Sequence, residues 1–281
     1  MANNMLRMFR KTTILYYVLA TIGIIFIVFG QMSGEMQRLE PNLFYFVFRL
    51  LFSLLIWIMF CVFIASLYAK KIQAKIHELY TENCDPVAFT NEYESISNRR
   101  IGNLKNYALL NLSTGYLDSG NLDMAIKTLN GIQNNAKKGL KPHDLVFLYN
   151  NLCAYYVQIG DLNQAEQALS KLFDSLQNEK LSNQYYDIFY DCYVQKQCVT
   201  KMMQGNYDSA EEIFALVFGR KRKKTKLDRV YFSYQTAKIH FHFNRFKDAK
   251  ELLEYVIDNG NTFHWISTAK ELLDQCNNQL K

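Results

Sequence analysis

Four ten-residue stretches, GNLDMAIKTL (120–129), GDLNQAEQAL (160–169), GNYDSAEEIF (205–214) and NRFKDAKELL (244–253), nearly repeat one another at spacings of 40, 45 and 39 residues. A chain that repeats itself at such a period builds one supersecondary unit several times, and each unit must bury its apolar face against the next. Counted from the first residue of each stretch, position +5 is Ala125, Ala165, Ala210 and Ala249. Position +9 is Leu129, Leu169, Phe214 and Leu253, and +12 is Ile132, Leu172, Val217 and Val256. These offsets lie on one face of a helix. Seven residues before each turn stand Ser113, Cys153, Cys198 and Ala237, all small. Small side chains at matched places on two successive segments predict paired helices that cross closely there. Gly or Asn at the turn supplies the left-handed backbone that ends a helix. The Asn or Asp that follows in three of the copies can cap the next helix. The spacing thus predicts an all-α chain of helix–turn–helix units.

At these positions the sequence resembles the tetratricopeptide repeat (TPR) family over about residues 106–257. The fullest unit is LYNNLCAYYVQIGDLNQAEQALSKL (148–172), with Leu152, Tyr156, Gly160, Ala165, Leu169 and Leu172 in the family's pattern. The resemblance implies a TPR-like α-solenoid whose first helices line a concave face that takes a peptide or protein. On that alignment the groove residues are Tyr107, Leu110, Phe147, Asn150, Val157, Gln195, Met202, Tyr231, Tyr234, Lys238 and Phe241. Aromatic anchors with a few amides suit a bound helix or extended peptide.

The N-terminal quarter has a different composition. Residues 12–34 carry no charge, and TILYYVLATIGIIFIVFG (13–30) is nearly all apolar. Its length fits a membrane span better than the shorter core of a signal peptide, and no A-x-A site follows it. The second apolar run, LFYFVFRLLFSLLIWIMFCVFIASLY (43–68), is interrupted by Arg49. That arginine either snorkels to the headgroups or pairs with a partner helix. Two spans, at about 12–32 and 45–69, make a transmembrane hairpin of residues 1–70. Arg7, Arg10 and Lys11 precede the first span, and Lys70, Lys71 and Lys75 follow the second, while the connecting loop holds only Arg38. By the positive-inside rule both termini and the repeats are expected to be cytoplasmic, in a multi-pass protein of a bacterial cell membrane. Residues 71–105 are expected to form a helical cap, and 106–281 the repeat domain with a closing helix.

The net charge of +6 is concentrated in patches, which argues against a nucleic-acid partner. Arg220, Lys221, Arg222, Lys223, Lys224 and Lys226 form one run. It is either a solvated helix end or a contact for acidic protein or lipid headgroups. The six cysteines show no CxxC spacing, which suits a reducing compartment. His240 and His242 lie two apart, the wrong spacing for metal ligands on a helix. No nucleophile elbow, P-loop or dinucleotide fingerprint occurs. No enzyme, metal or cofactor is expected. The expected role is a membrane-anchored protein-interaction scaffold, with a ligand-responsive sensor or a non-catalytic subunit of a membrane complex as the alternative.

Overall fold

The structure, a computed structural model, describes residues 2–36, 43–97, 105–135, 140–178, 181–218 and 224–281. Among the described residues there are twelve helices and no strand. They are α1 (Ala2–Met36), α2 (Leu43–Thr81), α3 (Pro86–Ser97), α4 (Lys105–Asp118), α5 (Leu122–Asn135), α6 (Pro142–Gln158), α7 (Leu162–Asn178), α8 (Asn183–Met203), α9 (Tyr207–Phe218), α10 (Lys226–His242), α11 (Phe246–Asn259) and α12 (Ile266–Gln279). By contact the chain divides into two units, Met1–His77 and Glu78–Lys281.

In the first unit, α1 and α2 are long and apolar enough to cross a membrane. Only 6% of each apolar stretch is buried by protein, so neither is the core helix of a soluble domain. Phe26, Phe29, Phe44 and Phe48 all stand out from the helices as exposed apolar surface. The two helices meet where Gly23 leaves room for the Trp57 indole, whose Nε1–H donates to the Leu19 carbonyl at 3.2 Å. A Cβ at residue 23 would overlap that ring. Gly23→Leu is therefore expected to part the hairpin, read as a red shift and quenching of Trp57 fluorescence in nanodiscs.

The second unit is built from helix pairs, and its local chemistry follows the repeated sequence. Gly120, Gly160, Gly205 and Asn244 have φ of +83°, +78°, +78° and +57°. Each sits at the C′ position of a Schellman motif. In the first, the Gly120 N–H reaches the Leu117 carbonyl at 3.1 Å and the Asn121 N–H reaches Tyr116 at 2.8 Å. The Asn121, Asp161 and Asn206 side chains then accept from the N–H groups of Met124, Gln164 and Ser209. One Gly-Asx dipeptide thus ends one helix and starts the next. α10 begins on a capping box of Thr225 and Asp228. Thr225→Ala is expected to cost about 1 kcal/mol in chemical denaturation.

All eight small residues of the repeat, Ser113, Cys153, Cys198 and Ala237 with Ala125, Ala165, Ala210 and Ala249, are wholly buried. In the third pair the crossing is seen directly, because the Cys198 thiol donates to the Ala210 carbonyl at 2.9 Å. The +12 residues Ile132, Leu172, Val217 and Val256 are also buried, while Leu169 is only half-buried. α6 packs on α4, α5, α7 and α8, α8 on α9, α9 on α10, and α11 on α10 and α12. Successive units share polar ties. Glu166 pairs with Gln204, and Glu211 meets Arg245 at 2.7 Å. Across α4 and α6, the Asn151 amide donates to the Leu110 carbonyl (3.0 Å) and the Ser113 hydroxyl (2.9 Å).

The two ends of this unit also meet. Asn261 donates to the Asn83 carbonyl at 3.0 Å, and Thr262 donates to Asp85 at 2.7 Å. Cys84, in the turn after α2, is buried in the same cluster as Val230, Phe263 and Trp265. The Cys84 backbone adopts φ of +53° to get there.

Candidate functional site

The inner helices α4, α6, α8 and α10, the end of α2 and the α11–α12 loop line a partly open cavity of about 250 Å³. That is just below the usual range for ligand pockets, roughly 300–1,000 Å³. Its walls are mixed: Leu117, Ile188, Phe263 and Trp265 are apolar, and Asp118, Asn150, Gln195, Lys196 and Tyr231 are polar. These polar residues are half-buried, because they border a hollow and not the packed core.

Asp118, on the last turn of α4, is held from three directions. The Tyr80 hydroxyl donates to its carboxylate. The His264 backbone N–H donates to its carbonyl at 2.9 Å, and His264 Nδ1 lies 3.1 Å from the same oxygen. A hydrogen on Nδ1 makes that second contact a hydrogen bond. Burial pushes the Asp118 carboxyl above its ordinary range, against the Tyr80 hydroxyl, Lys196 and His264, which favour the anion. For Lys196, burial disfavours the ammonium, but Tyr231, Cys153, Asp118 and Cys192 outweigh it and the pKa is raised. The Lys196 ammonium lies 5.9 Å from the Tyr231 ring centre and makes no ion pair within 4 Å among the described residues. The Asn150 amide donates to Asn151 at 3.1 Å, and its own oxygen, closed off from solvent, has no hydrogen-bond partner among the described residues.

The raised Asp118 pKa gives a signed prediction. The folded chain holds that proton more tightly than the unfolded chain does. This contribution is therefore largest below the ordinary carboxyl value of 3.8 and is lost as pH rises through the folded value. Asp118→Asn is expected to flatten the fall in melting temperature as pH rises above about 4, the ordinary carboxyl value. An unaltered slope would show that the carboxyl titrates normally.

Of the eleven groove residues expected from sequence, Asn150, Gln195 and Tyr231 line this cavity. Leu110, Met202 and Tyr234 belong to the buried clusters and not to a groove, because neighbouring helices cover them. Phe147, Val157 and Phe241 are half-buried against those same clusters. Tyr107 is half-buried, and Lys238 packs over the Tyr234 ring with its ammonium 5.6 Å from the centre. The eleven therefore do not gather along one open face. Arg220, Lys221, Arg222 and Lys223 lie outside the described residues. Lys224 donates to the Val217 carbonyl at 3.0 Å, and Lys226 opens α10. Sequence reasoning missed Tyr80, Asp118, Lys196 and His264. Tyr80 and His264 come from outside the aligned repeats, so no repeat register reaches them. Lys196 is adjacent to Gln195, one step round the same helix.

Compared with family models, with characterised proteins and with solved structures, the chain matches none. A reading of its function therefore rests on its own residues.

Proposed function

We propose that this chain is a membrane-anchored, non-catalytic, TPR-like binding module. α1 and α2 serve as a transmembrane hairpin. Both termini and the helix pairs lie on the cytoplasmic side, where the pairs stack as an α-solenoid and receive a protein or peptide. The observation that carries this reading is the repeated crossing: eight small residues at matched positions, every one wholly buried. Stacked helix pairs of this kind expose continuous surfaces that suit partner binding. The basic flanks of both spans support the orientation.

Two measurements test it. Protease added outside sealed cells should leave residues 78–281 intact. A photo-crosslinking side chain at position 107 or 241 should trap one adduct of discrete mass in intact cells. Digestion of that segment, or no adduct from either position, rejects the proposal.

The cavity favours a second reading, a ligand-responsive sensor. A helix is 10–12 Å across with its side chains, too bulky for a space of about 250 Å³. A partner protein must therefore bind elsewhere on the unit, which leaves the cavity to a small molecule. The two ends of the unit meet beside it through Asn83, Asp85, Asn261 and Thr262. A molecule bound there would couple to how firmly those ends hold together.

A further inference from the structure

We infer that the cavity between α4, α6, α8 and α10 binds a small zwitterion of free amino-acid size with an apolar side chain. The inference rests on the ligand-responsive reading and names the ligand class. Lys196 and Asp118 line one hollow, but they do not pair directly. A lysine and a carboxyl that face one hollow without touching each lose hydration and gain no direct ion-pair partner in return. Something between them has to replace both. An anion would satisfy Lys196 and be repelled by Asp118, and a cation would do the reverse. A molecule carrying one group of each sign satisfies both ends and adds no net charge.

The neighbouring groups fit this division. Gln195 and Tyr231 line the cavity beside Lys196 with side-chain polar groups that no other described residue engages. They can donate to a carboxylate. Asp118 gives one carboxylate oxygen to Tyr80, and the other is left to accept from an ammonium. Leu117, Ile188, Phe263 and Trp265 offer an apolar surface to a side chain. The volume of about 250 Å³ corresponds to roughly eight waters, which admits one amino acid and excludes a folded peptide.

The test uses the full chain in nanodiscs. Melting is followed with L-leucine and L-phenylalanine, then with 3-phenylpropanoate, which lacks the amine, and phenethylamine, which lacks the carboxylate. The amino acids are expected to raise the melting temperature by several degrees at millimolar concentration, with each analogue roughly tenfold weaker or more. Lys196→Met and Asp118→Asn should each weaken amino-acid binding by a similar factor, while both variants still melt cooperatively without ligand. If a variant fails to fold, the analogue comparison decides by itself. Stabilisation by either analogue as strong as that by phenylalanine overturns the zwitterion assignment and leaves the ligand-responsive reading standing. No stabilisation by any of the four compounds overturns both.

Discussion

Leu253→Ala is expected to lower the unfolding free energy of the helical unit by about 2–5 kcal/mol, the range for truncating a fully enclosed leucine. Leu253 is the +9 residue of the fourth repeat and is wholly buried among Val230, Tyr234, Ala249, Val256 and Trp265. Helices on either side of the vacated space are tied by the Asn244 turn and by the α11–α12 loop, so the site cannot collapse freely. The loss is a large share of a stability that in most domains is only about 5–15 kcal/mol. Leu216 supplies the control. It is 74% exposed on α9, and Leu216→Ala is expected to change stability by no more than about 0.5 kcal/mol. Denaturant unfolding of both variants in nanodiscs checks the pair. Equal losses would mean that the repeat pattern does not report the core.

Gly120→Ala is expected to do more damage than Gly160→Ala, although both glycines adopt nearly the same backbone. Their φ values are +83° and +78°, so each alanine bears a similar left-handed strain of roughly 1–2 kcal/mol. At Gly160 nothing lies within 4 Å of the added carbon, and the strain is the whole cost. At Gly120 the added carbon would lie 2.9 Å from His264 Cβ. Relieving that clash pushes the α4–α5 turn away from the α11–α12 loop, at a further cost of about 1–3 kcal/mol. It also lengthens the hydrogen bond from the His264 N–H to the Asp118 carbonyl, now 2.9 Å. Hydrogen exchange at the His264 amide should therefore accelerate in Gly120→Ala and stay slow in Gly160→Ala. Matching exchange in the two variants would show that the ends of the unit do not depend on this contact.

The helix pairs were readable in advance because their signals are local. A Gly-Asx turn acts through bonds to residues five or fewer positions away, and the Ala and Leu offsets act through one helix period. The same holds for α1 and α2, whose character is set by uninterrupted apolar length. The cavity wall was only partly readable. Leu110 and Asn150 both lie on inner helices, yet Leu110 is enclosed by α6 and Asn150 faces the cavity. A first-helix position in the repeat pattern does not say which neighbour covers it.

Sequence alone determined that this chain is helical, where its turns fall, which small residues let its helices cross, and which two segments are apolar enough to span a bilayer. Tertiary structure alone decided that residues 83–85 meet residues 261–262, and that Tyr80, Asp118 and Lys196 border one cavity, with His264 bonded to the Asp118 carbonyl. The physical reason is that the path of a helical chain sums the rotations at every junction between neighbouring helices. Each rotation is set by how side chains of different units interlock, and no short stretch of sequence records their total.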